Sequence, residues 1–288
     1  MLTLVVAMPA AYVFARYEFP GRTLLRAAVT IPFVMPTLVV GSAFLALLGP
    51  NGALGFDLSA SIWAILLAHV FYNYAVVVRT VGGLWSHLDP RLEEAARMLG
   101  AGRWKTFWTV TLPLLRPAIA AAASIIFLFT FTSFGVILVL GNLQYRTIEI
   151  EIWRQTVSFL NLPVAAALSV LQLVAVSLIL LAYSRYQERR AVEQTLAPAA
   201  TTARRPHGYR EWTTVVVTLT STALLLGMPL VLLVERSLRF TGDWTLSGYR
   251  SLSQGDSSLF VPPVEAIGNS LGFALMTMAI ALLSLIHI

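Results

Sequence analysis

Apolar residues gather along this chain in long runs, at about Leu2–Ala15, Ala27–Leu48, Ile62–Leu84, Ala118–Leu140, Leu162–Tyr183, Thr213–Val234 and Ile267–Ile288, separated by shorter polar stretches. About 20 apolar residues in a helix cross a hydrocarbon core of roughly 30 Å. The runs are too long and too uniformly apolar for a transmembrane barrel, which alternates over segments of about ten residues. Backbone amides in lipid must be satisfied within the segment, so each run is expected to be a helix. The predicted fold class is all-α: a polytopic transmembrane helical bundle of about seven spans.

The first run is short, begins at Met1, and lacks both a basic leader and a small-residue cleavage site, so it does not read as a signal peptide. The last run stops in mid-pattern at Ile288. The chain is therefore expected to be a fragment of a longer one.

Composition strengthens the membrane reading. Hydrophobic residues make up 57% of the chain and charged residues 12%, against averages of roughly 45–50% and about 25% for soluble domains. That excludes a soluble globule, a disordered chain, a coiled coil and a collagen-like repeat. The absence of cysteine removes thiol chemistry, disulfides and Cys-ligated metals.

The net charge of +6 matters less than where its carriers lie. Of 20 Lys and Arg residues, fifteen fall after the first run, at or after the third, and after the fifth. Five lie on the opposite side: Arg146, Arg154, Arg236, Arg239 and Arg250. The first set is expected to be cytoplasmic, leaving Gly49–Ser61, Gly141–Asn161 and Glu235–Glu265 outside. Gln187–Arg210, with Pro, Ala, Thr and clustered charges, reads as a flexible polar connector. The expected organisation is a first unit of five spans over residues 1–186, a cytoplasmic linker over 187–212, and the start of a second unit over 213–288.

The stretch Trp85–Pro117 carries the most information. Asp89 is placed to N-cap a helix with Pro90 at its first position, and Glu93 and Glu94 then fall near the positive end of the helix dipole. Ala95 and Ala96 make a smooth surface that another protein can approach closely. Gly100 and Gly102 are suited to ending the helix. A second short helix, Trp104–Val110, is expected to present Trp104, Phe107 and Trp108 as a docking face or interfacial anchor. Leu112-Pro113 and Pro117 are expected to turn the chain back into the bilayer.

Glu94-Ala95-Ala96, three residues, Gly100, nine residues, Val110, one residue, Leu112-Pro113 resembles the EAA loop of bacterial ABC-importer permeases, with Val110 where that pattern has isoleucine. The resemblance implies an ABC-importer permease fold in the plasma membrane and a loop that fits a cytoplasmic ATPase dimer. Glu94, Ala95, Ala96, Gly100, Val110, Leu112 and Pro113 would be the coupling residues. It also implies an extracytoplasmic substrate-binding protein and a second permease unit, in the same full-length chain or another copy. Weaker likenesses at Arg16–Arg22, Leu66–Asn73, Phe131–Gly141 and Thr147–Gln155 resemble the fused permeases of thiamine and ferric-iron importers, which makes those the expected substrates. In such a fused chain about four further spans and a second EAA loop would follow Ile288. Sulfate, molybdate and polyamine importers have related permeases.

His69 and Asn73, one turn apart in the third run, either line a translocation pathway or hydrogen-bond within the bundle. Thr130, Thr132 and Ser133 pose the same alternative, with a return bond to the carbonyl four residues earlier. Pro32 and Pro36 each remove an amide donor and bend the second run, either framing a pathway or merely kinking a span. Glu149, Glu151 and Arg154 either meet the binding protein or form a solvated face. Trp85, Trp153 and Trp212 fit an interfacial aromatic belt.

No phosphate-binding loop, His-Glu-x-x-His zinc motif or Gly-x-Ser-x-Gly elbow occurs. No catalytic residue, metal, cofactor or nucleic-acid partner is expected. The alternatives to an importer are a secondary transporter or channel, which would ordinarily need carboxylates within the spans, and a membrane-embedded enzyme.

Overall fold

The computed structural model describes residues 1–142, 144–190, 202–240, 243–252 and 262–286. It divides into two compact units, Met1–Leu232 and Leu233–Ile288.

In the first unit the central element is α5 (Ile62–Trp85), whose N-cap Ser61 accepts the Ala64 amide. Helix α1 (Leu2–Arg16) packs along it. Lipid-immersed helices gain little from hiding apolar surface, so they associate through close backbone approach at small residues. Ala7, Ala10 and Ala11 of α1 are fully buried. A Cβ on Gly82 of α5 would sit 3.1 Å from the Ala11 carbonyl oxygen.

The second apolar run is a broken one. Helices α2 (Arg22–Ala28) and α3 (Ile31–Val34) turn by 100° into α4 (Thr37–Leu48), with extended backbone at Met35 and Pro36. Proline excludes its predecessor from helical conformation, and Met35 obeys at ψ 144°. Pro36 therefore does more than bend the span, since it lies at the interruption, whereas Pro32 sits in the first turn of α3.

The fourth run is also divided. Helix α8 (Leu112–Phe131) ends at Phe131, and α9 (Gly135–Leu140) resumes after a three-residue break at Thr132–Phe134. One face of α8, at Leu115, Ala118, Ala122 and Ile126, is buried at helical spacing while Ile125 and Phe127 stay exposed. Phe33, Tyr72 and Phe129 tie α3, α5 and α8 together with ring centroids 5.3–6.2 Å apart. Helices α4 and α9 cross at Gly41 and Gly135.

Beyond α10 (Ile148–Trp153) and a wide π turn at Arg154–Ser158, α11 (Leu162–Arg190) is apolar and largely uncovered. Helix α12 (Gly208–Leu238) packs within the first unit: Val215 is buried against Val13 and Tyr17, and Thr222 Oγ1 lies 2.8 Å from the Tyr74 hydroxyl. Replacing Thr222 by Val should lower the unfolding temperature slightly, for a loss of about 1 kcal/mol. An unchanged melting temperature in detergent would show that this bond contributes nothing.

In the second unit a small antiparallel hairpin pairs Arg239–Phe240 with Asp243–Trp244, a feature the apolar pattern does not foreshadow. Arg239 lies over the Trp244 ring at 5.0 Å and bonds Glu235 at 3.0 Å. Helix α13 (Ser247–Ser251) and the apolar α14 (Pro263–Ile286) follow.

Among the described residues, five helices are long and apolar enough to cross a bilayer, and the bent pair makes a sixth. Helix α1, at 15 residues, extends only about 22 Å. Within the described residues each of the seven expected runs is helical, yet two are broken and one is short.

Candidate functional site

The helix α6 (Pro90–Met98) forms at the expected place for the expected reason: the Asp89 carboxylate accepts the Arg91 amide at 2.9 Å, with Pro90 in the first turn. Its far end explains the spacing of the loop. Gly100 has φ +83° and donates to the Arg97 carbonyl at 2.9 Å, while Ala101 donates to the Ala96 carbonyl at 3.1 Å. This pair of bonds is the Schellman closure, with glycine at the left-handed position four residues after the final Ala of the motif. Gly100 has open space where a Cβ would go, so its requirement is conformational rather than steric. Gly100→Ala should cost about 1 kcal/mol, read as fraying of α6 by hydrogen exchange; full protection at Leu99–Ala101 would count against it.

Glu94 and Ala95 are exposed and Ala96 is half-buried. Glu94 makes no hydrogen bond or ion pair among the described residues. Its neighbour Glu93, expected only to lie near the positive end of the helix dipole, is the fixed one. Glu93 Oε1 accepts from Arg16 Nη2 at 3.2 Å and from Thr111 Oγ1 at 3.1 Å, and Arg97 lies 3.6 Å from Oε2. The buried Arg16 also donates to the Leu88 carbonyl at 2.9 Å. One carboxylate thus joins the end of α1, the helix α6 and the start of the next span. The sign that could have found it was Arg16 itself, placed immediately after an apolar run with an unaccounted acidic residue pair ahead.

The segment after Gly102 differs from expectation. Helix α7 (Arg103–Thr106), a π turn (Phe107–Thr111) and α8 run as one continuous helix, so Leu112-Pro113 and Pro117 do not turn the chain. Pro113 would clash with the carbonyl four residues before it in a regular helix. The π turn directly before α8 widens the backbone there and accommodates the ring. Val110, Leu112 and Pro113 are half-buried.

Phe107 is not part of a free docking face. It stacks on the buried Trp85 at 6.3 Å, which in turn contacts Tyr12 at 5.2 Å. Trp85 therefore belongs to the interior rather than to an outward belt. Trp104 and Trp108 are 78% and 61% exposed, and Leu92, Met98 and Leu99 in and just after α6 are exposed as well.

The end of the polar connector is stitched to the same region. Arg204 exchanges backbone hydrogen bonds of 3.0 Å with Arg16 and Glu18, its guanidinium pairs with Glu211, and Thr202 donates to the Ser86 carbonyl. Burial, followed by the hydrogen bond with Tyr12, pushes the Tyr17 phenol above its ordinary range, so it stays neutral here. The Ala-Pro-Ala-Ala-Thr-Thr stretch lies almost wholly outside the described residues.

His69 and Asn73 are buried in α5. His69 Nδ1 lies 2.7 Å from the Ile65 carbonyl, and Asn73 Nδ2 donates to the His69 carbonyl at 3.1 Å. Their other polar atoms, His69 Nε2 and Asn73 Oδ1, have no partner among the described residues. Thr132 returns its hydroxyl to the Leu128 carbonyl at 2.9 Å, whereas the buried Ser133 hydroxyl is unpartnered. Glu149 accepts from Gln172 at 2.7 Å, and Glu151 bonds Gln155 at 2.8 Å and Arg154 at 3.4 Å. No cluster of metal-ligating side chains occurs among the described residues.

The model of the family described as binding-protein-dependent transport system inner membrane component matches residues 4–193. The sulfate transport system permease protein CysT of Escherichia coli (strain K12) is 37% identical over 189 residues, covering 62% of this chain and 68% of that protein. The molybdenum transport system permease protein ModB of Azotobacter vinelandii is 34% identical over 164 residues, covering 53% of this chain and 73% of that protein. In three dimensions the chain resembles a crystal structure of a bacterial ABC transporter involved in the import of the acidic polysaccharide alginate. The TM-score is 0.52 at 19% identity, over 66% of this chain and 78% of that one, a likeness of fold. The chain belongs to the family of binding-protein-dependent transport system inner membrane components: it is a multi-pass permease component of the ABC-importer type, with ATP hydrolysis on a separate subunit.

Proposed function

We propose that this permease passes a tetrahedral oxyanion, sulfate or molybdate. The observation that carries the reading is the 37% identity to a sulfate permease over 189 residues, joined by the 34% identity to a molybdenum permease. These relatives displace thiamine and ferric iron as the expected cargo. Uptake of radiolabelled sulfate and molybdate in cells lacking their own permeases, with the full gene and its neighbouring ATPase and binding protein supplied, tests this. Uptake of neither oxyanion, with the protein present in the membrane, overturns the cargo assignment.

The α6 surface is the proposed seat of a cytoplasmic ATPase dimer, with Glu94, Ala95, Ala96 and Gly100 at its centre and Val110, Leu112 and Pro113 setting the following helix. Support comes from the unpaired Glu94, the low Ala surface and the exposed apolar side chains of Leu92, Met98, Leu99, Trp104 and Trp108. The arginine distribution supports a cytoplasmic position for this loop. A substrate-binding protein on the other face and a second permease unit complete the proposed assembly, with residues 1–186, 187–212 and 213–288 as first unit, linker and opening of the second. Glu94→Lys should abolish co-purification of the ATPase while expression and melting temperature stay normal. Retained association and transport in that variant would reduce the loop to an ordinary surface helix.

The broken span at Pro32 and Pro36 and the orphaned polar atoms of His69 and Asn73 are the proposed elements of the pathway. Asn73→Leu removes a buried acceptor that has no donor, so stability should change by less than about 1 kcal/mol, while uptake falls. Unimpaired uptake would assign Asn73 to packing alone.

A further inference from the structure

A second basic feature lies away from the α6 surface. Arg26 of α2 and Arg79 of α5 line a cavity of about 460 Å³ together with Thr23, Ala27 and Thr30. Arg79 lies six residues before the end of α5, roughly 9 Å along the axis, so the cavity opens on the half of the bundle nearest α6. Arg79 and Thr23 are exposed, and Arg26 and Thr30 are half-buried.

The charge balance of the cavity is unusual. Neighbouring arginines are satisfied: Arg16 by Glu93 and the Leu88 carbonyl, Arg22 by the Phe14 carbonyl at 2.7 Å with Glu18 at 3.9 Å. The guanidinium groups of Arg26 and Arg79 make no hydrogen bond or ion pair among the described residues. No carboxylate among the described residues lines the cavity. Cationic side chains within spanning segments ordinarily pair or mark an ion path. Two that converge on one cavity without a counter-charge repel each other unless an anion enters between them. Guanidinium forks match the oxygen spacing of a tetrahedral oxyanion, and the Thr23 hydroxyl supplies a further neutral donor, whereas Thr30 donates its own to the Arg26 carbonyl at 3.3 Å.

We propose that Arg26 and Arg79, with Thr23, form a binding site for a tetrahedral oxyanion group. Two sources share that chemistry: a free sulfate-class anion leaving the pathway, or the phosphate of an anionic lipid. The first source rests on the cargo reading above; the site itself does not.

The test uses the full chain purified in detergent and compares it with Arg26→Gln, Arg79→Gln and the double variant. Binding of radiolabelled sulfate and of inorganic phosphate is measured by equilibrium dialysis at constant ionic strength. Retention of phosphatidylglycerol is measured by native mass spectrometry after exchange into neutral lipid. Each single variant should weaken binding about tenfold, the scale of one charge-assisted contact, and the double variant should abolish it. Arginine-dependent sulfate or phosphate binding identifies a free anion as occupant, and arginine-dependent lipid retention identifies a headgroup. Thr23→Glu, at an exposed position, adds a carboxylate to the cavity and should expel the anion even if the arginine variants fold poorly. The proposal is overturned if neither ligand responds to the double variant or to Thr23→Glu in protein that melts normally. Failure of cellular sulfate and molybdate uptake with arginine-dependent binding intact would sink the cargo reading and leave the site standing.

Discussion

Glu93→Ala should destabilise the first unit by about 2–3 kcal/mol, the cost of leaving a largely buried guanidinium with one partner fewer. Arg16, 9% exposed at its side chain, would keep only the Leu88 carbonyl, and Thr111 would lose its acceptor. The adjacent Glu94→Ala should change stability by less than about 0.5 kcal/mol, because an exposed side chain without a partner has little to lose. Thermal unfolding of the two variants in the same detergent provides the measurement. Equal melting temperatures would show that the Arg16–Glu93 pair does not hold α6 to the bundle. Removing both charges with Arg16→Met and Glu93→Met should recover much of the single-variant loss, since a buried pair often stabilises no more than apolar side chains of similar size. The same comparison separates anchoring from docking. Glu93→Ala should loosen the attachment of α6 to α1 and α8, whereas Glu94→Lys should affect only what binds from outside.

Gly135→Val should be the most damaging single change in the bundle, lowering stability by about 3 kcal/mol or more. A Cβ at this position would lie 2.4 Å from the Leu38 amide nitrogen and 2.7 Å from the Thr37 carbonyl carbon. Those are backbone atoms at the start of α4, so no side-chain rotation relieves the clash. The two helices would have to separate, carrying with them the contact of Gly41 with Val139 and the Gly135 carbonyl. Gly83→Ala in α5 is the matched control. Its Cβ meets nothing within 4 Å, and replacing glycine in a helix interior should stabilise by roughly 0.5–1 kcal/mol. Melting of both variants in detergent tests the pair. A Gly135→Val protein with wild-type stability would mean that the crossing of α4 and α9 is looser than these distances require.

The helical character of every apolar run was legible because lipid leaves a spanning backbone no alternative. The cap at Asp89, the glycine terminus at Gly100 and the exposed Ala surface between them were legible for a local reason: each depends on residues within one or two turns. The continuous helix through Leu112-Pro113 was not, because its outcome depends on whether a π turn absorbs the proline, and no residue type announces one. The 100° break at Met35–Pro36 was half legible. The prolines mark where the helix must yield, whereas the angle follows from how α3 packs on α5 and α4 on α9.

The largest differences concern residues that act at long sequence separation. Glu93 and Glu94 are chemically identical and adjacent, and only the position of α1 makes the first an anchor and leaves the second free. Phe107 and Trp108 are likewise neighbours, one stacked on Trp85 and one exposed, because the helix turns only one of them inward. Arg26 and Arg79 lie 53 positions apart and line one cavity only in the folded chain. By itself the sequence determined a membrane-embedded helical bundle, the ends of its short helices and the loop pattern of its family, since hydropathy, capping and glycine conformation are local physics. Only the tertiary structure decided which charges are paired, which aromatic rings are buried and where two unpaired arginines converge, since these depend on contacts between segments that local patterns do not encode.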